Sequence, residues 1–269
     1  MIEIHSWLRG EELSRMMTQH KIDARVDQIM LTLAPSIWAV IDALSWKLKL
    51  WGRCIYIWAW SSWRLGVLDA SEVPPTFGLD ESMIGVIAWG DKALRNSIES
   101  AEDSTGEAWN TLQNFHISEK DMVIWIAASW RTPYTVAGIR ACLENGITTW
   151  CISCKPWSIL GKLADYPIEI NTWEEFILES TRLIAWTAQK DILNQLSTGS
   201  MIQLWRTKEN KMIYMKPSND KLLERGIQMI LDVHKIPKSS AKSLLKSAWS
   251  AWEALKFLKE NPDFLEKFS

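Results

Sequence analysis

Tryptophan stands in this chain at positions where the backbone chemistry asks for glycine. The segment RCIYIWAWSSWRLG at 53–66 joins a β-branched and aromatic run to a loop of small hydroxyl residues, interrupted by Trp58, Trp60 and Trp63. A strand that enters a tight, serine-rich turn at a helix start uses glycine there, because glycine takes positive φ and lets backbone N–H groups approach an anion. An indole in the same place fills the anion pocket. The pattern recurs at Trp89 in IAWG, Trp130 in IAASWRTPY and Trp157 in KPWS. Tryptophan outnumbers glycine, 18 to 12, where roughly 19 glycines correspond to average usage of about 7%.

Two readings of this pattern compete. In one, these are genuine tryptophans of an aromatic core, but several lie in loops beside polar residues. In the other, the gene uses UGA for glycine, as some bacterial lineages do, and translation with a different code table wrote tryptophan. UGA at codons 58, 60, 63 and 130 supports the second reading, and UGG there excludes it. A literal tryptophan buries about 150–250 Å², and overpacking costs about 1–3 kcal/mol per site. Eleven such sites would exceed a typical net stability of about 5–15 kcal/mol. The literal polypeptide is therefore expected to misfold or to bind nothing.

The 269 residues suffice for one substantial core, or a core with a small helical appendage. Charged residues make up 23% and the net charge is −2, which provides no basic footprint for nucleic acid or an acidic membrane surface. No apolar stretch reaches 18 residues without a charge, and MIEIHSWLRGEEL lacks a basic n-region and a long h-region. A cytoplasmic protein without membrane or nucleic-acid partners is expected. Cys54, Cys142, Cys151 and Cys154 are then reduced thiols. The CxxC formed by Cys151 and Cys154 lacks two further ligands at workable spacing, since His5, His20, His116 and His234 are scattered singly. Buried structural thiols, with no metal and no cofactor, are the expectation.

Residues 11–49 carry apolar side chains at helical spacing, and Pro35 is expected to divide them into at least two helices. Five short apolar runs follow: CIYI at 54–57, MIGVIA at 83–88, MVIWIAA at 122–128, TTWCISC at 148–154 and PIEI at 167–170. Their lack of alternation indicates strands covered on both faces, hence a parallel sheet. Segments 91–102, 136–145 and 159–164 supply crossover helices, and a long helix is expected over about 180–204. Segment 206–219, with its charges and Pro217, reads as a connector. Segments 222–233, 241–248 and 252–258 read as short C-terminal helices. The fold class is α/β, a three-layer αβα sandwich on a five-stranded parallel sheet. The expected divisions are N-terminal helices at 1–49, a ligand-binding domain at 50–206 and a helical module at 207–269.

Ligands collect at the carboxyl ends of such strands. Two hydroxyl-rich loops fall there, WSSWR at 60–64 and SWRT at 129–132. Backbone N–H groups, hydroxyls and a helix N-terminus hold a phosphate without a metal. Simple N-capping by Ser62 or Thr132 is the alternative. Carboxylates follow the first two strands: Asp69 and Glu72, then Glu99, Glu102 and Asp103. Paired carboxylates divide acid and base roles when their surroundings separate their pKa values. A solvated helix face would explain Glu99 and Glu102 equally well.

LGVLDASEVPPTFG at 65–78, ESAEDS at 99–104, IAASWRTPY at 126–134, ISCKPWS at 152–158 and STRLIAWTAQKDILNQLSTG at 180–199 stand in order along the chain. Together they resemble the N-acetylmuramic acid 6-phosphate etherases, lyases with a sugar isomerase (SIS) domain. The resemblance runs from about Ala34 to Leu222. Trp51, Trp58, Trp60, Trp63, Trp89, Trp125, Trp130, Trp157, Trp173, Trp186 and Trp205 coincide with family glycines, whereas Trp109 and Trp150 do not. The resemblance implies cleavage of the D-lactyl ether at C3 of a phosphorylated amino sugar during recycling of cell-wall fragments, in a homodimer. By the family pattern Glu72 is the proton donor and Glu102 the second catalytic residue, acting as base at C2. Ser61, Ser62, Ser129 and Thr132 are the implied phosphate ligands, with Arg64 and Arg131 as contributors. Pro74, Pro75 and Phe77 are expected to give Glu72 an apolar setting in which it keeps its proton. Val73, Ile184 and Glu179 depart from a usual Cys, Lys and Gly. A noncatalytic sugar-phosphate sensor related to glucokinase regulatory protein and an aldose-ketose isomerase share this scaffold and stand as alternatives. Lactate release separates the three.

Overall fold

The computed structural model describes residues 10–19, 22–58, 63–87, 105–127, 132–172, 175–178 and 180–267. Strands β1 (Cys54–Trp58), β2 (Met83–Ile87), β3 (Met122–Ala127), β4 (Thr148–Ser153) and β5 (Tyr166–Glu169) form a parallel sheet in the order β2-β1-β3-β4-β5. All five apolar runs are strands. Every residue of β3 is buried, and so is every residue of β4 after Thr148, which is why these runs show no alternation.

Two layers of helices account for that burial. Helices α4 (Glu107–Asn114), α5 (Pro133–Glu144) and α6 (Ile159–Leu163) cover one face, where Ala108, Leu112, Tyr134, Ile139 and Leu160 pack with Ile55, Ile57, Val123 and Cys151. Helices α2 (Ile22–Lys49), α3 (Trp63–Phe77) and α7 (Ile184–Gln203) belong to the other layer. There α2 packs on β5, and Tyr56 of β1 meets Asp69 of α3, which in turn meets α7. A Cβ placed on Gly199 of α7 would lie 2.6 Å from Ile41 of α2, so these two helices also pack closely.

Pro35 does not break the N-terminal helical stretch. Helix α1 (Gly10–Gln19) precedes α2, and α2 runs unbroken through Pro35. Proline removes one helical donor and frees the carbonyl of Leu31; both residues are exposed, so water can take the acceptor. By length and composition α2 could cross a membrane. Its buried stripe of Val26, Ile29, Met30, Ile37, Val40, Ile41 and Leu44 makes it a core helix instead.

The chain divides into two compact units, one of residues 1–70 and 83–200, the other of 71–82 and 201–269. In the second unit α8 (Asp220–Leu231), α9 (Lys238–Ala248) and α10 (Ala251–Glu260) enclose Ile227, Ile230, Ala241, Leu245, Ala254 and Leu258, and α11 (Pro262–Glu266) follows.

Backbone geometry bears directly on the tryptophans. Among the described residues, positive φ outside glycine occurs at Trp51 (63°), Glu81, His116, Trp157 (63°), Trp205 (58°), Glu209 and Trp249 (66°). The four indoles are 80–91% exposed. Three of them end helices. At the end of α2, Gly52 N–H reaches back to Lys47 O and Trp51 N–H to Leu48 O; at the end of α7, Arg206 N–H reaches Met201 O and Trp205 N–H reaches Ile202 O. Both are Schellman caps, in which glycine is the usual residue. At the end of α5 the identical pair of bonds, from Ile147 to Cys142 O and from Gly146 to Leu143 O, closes around a glycine at φ 69°. Trp249 ends α9 with the simpler bond to Leu245 O. The cost of a literal tryptophan at these four sites is backbone strain, not the overpacking expected from the sequence, because the indoles point into water. Trp125 is different: it is fully buried, and a Cβ on Gly138 would lie 2.0 Å from its ring.

Candidate functional site

The sheet order places a switch point between β1 and β3, because the chain steps from β1 to β2 on one side and then crosses to β3 on the other. The two strands pair in parallel from Cys54↔Met122 to Ile57↔Trp125, so their carboxyl ends are neighbours. The two hydroxyl-rich loops therefore begin side by side. Ser61 and Ser62 of the first, and Ser129 and Arg131 of the second, lie outside the described residues, as do Glu99, Glu102 and Asp103. Arg64 is half-buried in the first turn of α3. Thr132 is buried at the N-cap position of α5, with Pro133 opening the helix, and its hydroxyl makes no capping hydrogen bond. The simple N-capping alternative thus fails at Thr132.

Helix α3 brings together what the sequence could only align. Its buried face carries Leu65, Asp69, Ala70, Val73 and Phe77, at helical spacing. Asp69 receives three hydrogen bonds: the Tyr56 hydroxyl donates to Oδ2 at 2.9 Å, and Asn194 Nδ2 and the Ser197 hydroxyl donate to Oδ1, each at 2.9 Å. Burial pushes the Asp69 carboxyl above its ordinary value, although all three donors oppose the shift. Burial also raises the Tyr56 hydroxyl well above its usual range, with the Asp69 charge adding to the effect, so Tyr56 remains a donor. Nothing in the sequence pattern identified Asn194 or Ser197 as partners of Asp69, since they are more than 120 residues away.

Glu72 stands one turn beyond Asp69 and is exposed. The expected apolar setting is not supplied by its neighbours. Phe77 is buried, but five residues at 100° each place it about 140° round the helix from Glu72; Pro75 is itself exposed.

A second loop built at a strand end is KPWS at 155–158. The Glu169 carboxylate of β5 accepts from Trp157 N–H (3.0 Å), Ser158 N–H (2.7 Å) and the Ser158 hydroxyl (2.7 Å), while Ser158 Oγ accepts from Gly161 N–H. Farther along, Glu175 holds the first turn of α7 by accepting from the N–H groups of Ile184 and Ala185. Ile184 is fully buried there, where an uncharged side chain avoids the desolvation cost a lysine would carry. Val73 is likewise buried, whereas Glu179 lies outside the described residues.

The four cysteines are free; Cys54, Cys142 and Cys151 are buried. Burial pushes the thiols of Cys142, Cys151 and Cys154 up to about 12. They are protonated, and poor nucleophiles and metal ligands. Among the described residues no three His, Cys, Asp or Glu gather as a metal site.

Residues 39–143 match the family model of the glucokinase regulatory protein N-terminal SIS domain. An N-acetylmuramic acid 6-phosphate etherase of Christiangramia forsetii is 49% identical over 227 residues, 84% of this chain and 83% of that protein. The protein of the same name in Bacteroides fragilis is 43% identical over 237 residues, 88% and 84% of the two chains. Among solved structures, a candidate phosphosugar isomerase of capsule formation from Bacteroides fragilis superposes with a TM-score of 0.57. It is 16% identical and covers 74% of this chain and 94% of its own length, which speaks to the fold alone.

Proposed function

Since the chain belongs to the N-acetylmuramic acid 6-phosphate etherase family, we propose that it is a lyase that splits N-acetylmuramic acid 6-phosphate into N-acetylglucosamine 6-phosphate and D-lactate. The observation that carries this reading is the identity of 49% with a relative of that name, extending over most of both chains. By the same resemblance it works in the cytoplasm as a homodimer.

The reaction needs an open sugar ring, whose C1 aldehyde acidifies the proton on C2. Glu102 removes that proton as a carboxylate, and the electron pair moves toward the aldehyde as an enolate. The C3–O bond then breaks, the pair returns to make the C2–C3 double bond, and Glu72 protonates the leaving oxygen to release D-lactate. Glu72, now a carboxylate, takes a proton from the water that adds to C3, and Glu102 returns one to C2. Ser61, Ser62, Ser129 and Thr132, with Arg64 and Arg131, hold the phosphate at the ends of β1 and β3. Adjacent strand ends and an uncapped, buried Thr132 support that placement. The presence of both carboxylates favours the lyase over a sensor, which has no use for an acid and base.

The test is D-lactate release by the purified protein. Glu72→Gln and Glu102→Gln should each lower turnover about 10²- to 10⁴-fold. Binding without turnover would establish a sensor instead, and aldose-ketose interconversion without lactate an isomerase.

A further inference from the structure

We infer that Gln189 is a substrate-binding residue of the lyase, its side-chain oxygen accepting a hydrogen bond from a donor carried by the sugar itself. The inference deepens the proposed function and rests on it, and its basis is a buried amide oxygen left without a partner at the ligand end of the sheet.

Gln189 lies in α7 and is fully buried. Its Nε2 donates to Cys154 Sγ at 3.0 Å, but its Oε1 has no hydrogen-bond partner among the described residues. A buried amide oxygen in that state gives up the hydration it had in water and gains nothing in exchange. Native proteins keep few such groups, and each one kept has a reason. A methionine of the same reach would serve packing without the loss.

Position supplies the reason. Cys154 directly follows the last residue of β4, and its N–H donates to the carbonyl of Ala127, the last residue of β3. The sulfur that holds the amide is therefore set at the adjoining carboxyl ends of two strands, where parallel sheets collect ligands. From Ala127 the chain passes in sequence to Ser129, Arg131 and Thr132, the proposed phosphate ligands. Ser45 and Ser200 also carry hydroxyls without a partner among the described residues. They stand elsewhere. Lys47, two residues past Ser45, donates to the carbonyl of Glu119 ahead of the start of β3, and Ser200 is eleven residues beyond Gln189, about 16 Å along α7. Gln189, Cys154, Ala127 and Thr132 all belong to the first compact unit.

The chemistry of the sugar narrows the donor. An amide oxygen only accepts. In the proposed substrate O3 is an ether with no hydrogen to give, O1 and O5 change when the ring opens, and O6 carries the phosphate. The acetamido N–H on C2 and the hydroxyl on C4 persist from substrate to product. Gln189 Oε1 takes one of these two, while the Cys154 sulfur engages the other end of the amide.

The experiment uses the product, N-acetylglucosamine 6-phosphate, whose binding to the full chain is read by calorimetry without turnover. Gln189→Met keeps the length of the side chain and removes the oxygen. It should weaken binding about 10- to 100-fold, the span expected when a buried donor is left unpaired. The thermal midpoint of the ligand-free protein should stay level or rise, whereas a purely structural role would lower it. 4-Deoxy-N-acetylglucosamine 6-phosphate and 2-deoxyglucose 6-phosphate identify the donor: the analogue that lacks it should bind wild type and Gln189→Met alike, and the other should still tell them apart. Should Gln189→Met fail to fold, Cys154→Ala frees the amide to turn, and a several-fold loss of affinity with the same analogue pattern is expected. Undiminished affinity for the product, or a loss that neither analogue abolishes, overturns the inference. If the wild-type protein neither binds N-acetylglucosamine 6-phosphate nor releases D-lactate, the proposed function falls and takes the inference with it. If it does both and the variants bind the sugar as well as wild type, only the inference falls.

Discussion

Replacing Trp51, Trp157, Trp205 and Trp249 together by glycine should stabilise the protein, although four large side chains are lost. Each residue sits at φ 58–66° with its indole 80–91% exposed, so the change removes strain and almost no packing. A left-handed conformation costs a residue with a Cβ about 1–2 kcal/mol, of which glycine gives back about 0.4–1 kcal/mol through its freer unfolded chain. The net is about 0.5–1 kcal/mol per site, or about 2–4 kcal/mol for four additive sites. At about 2–4 °C per kcal/mol for a chain of this size, the thermal midpoint should rise by about 4–16 °C. The assay is thermal unfolding followed by circular dichroism, with the quadruple alanine variant as control. Alanine removes the indoles but keeps Cβ, so its midpoint should stay near that of the starting chain. Gly146→Ala supplies the reverse control: nothing lies within 4 Å of the added Cβ, so any loss is conformational, about 1 kcal/mol. An alanine quadruple as stable as the glycine quadruple, or a glycine quadruple less stable than the parent, would refute the strain argument.

Two further outcomes test the frame of the site. Asp121 accepts from Arg53 Nη2 (3.0 Å), Nε and backbone N–H and from Ser118 N–H, joining the starts of β1 and β3. Burial alone would raise its carboxyl, but those donors hold it below its ordinary value. A depressed carboxyl contributes stability above its unfolded pKa of about 3.9 that fades as pH falls through the lower folded value. Asp121→Asn should therefore lose about 1–3 kcal/mol at neutral pH and show a flatter fall of the midpoint between pH 6 and pH 3. A parallel acid limb would disprove the assignment. At the interface of β3 with α5, Gly138→Ala should destabilise by about 1–3 kcal/mol through contact with Trp125. In a Trp125→Gly background the same change should be tolerated, and a denaturant-unfolding double-mutant cycle without coupling would rule the contact out.

The sheet was legible because its strands are short, continuous apolar runs rich in β-branched residues, and their length and composition, not their periodicity, separate them from buried helix segments. Helix α4 escaped because only Ala108 and Leu112 of its eight residues are buried, too few to establish a period. Pro35 misled for a local reason. A proline on the solvent side of a long helix gives up one hydrogen bond that water replaces, and the apolar stripe on the far side holds the helix together. Of the site, the motif residues were legible by resemblance, and their geometry was not. Tyr56, Asn194 and Ser197 are ordinary polar residues in strand and helix contexts, and only the fold shows that they share one carboxylate.

The tryptophans show how far local chemistry reaches without a fold. Trp51, Trp157 and Trp205 stand at family glycines, where the sequence alone suggests an indole filling the space a missing side chain leaves. At a helix C′ position the glycine is required by φ, and its side-chain direction points outward; a substituent there meets water. Trp249 makes the distinction plain, because no resemblance marked it, yet its φ of 66° and its bond to Leu245 O place it in the same class as Gly146. Backbone conformation therefore extends the set of anomalous tryptophans beyond the motifs, to a helix end with no part in the proposed chemistry. A positive φ held by tryptophan at three helix ends and in the KPWS loop belongs to several separate places in the chain, as a change in decoding would make it, and not to a single site adapting to a bulkier residue.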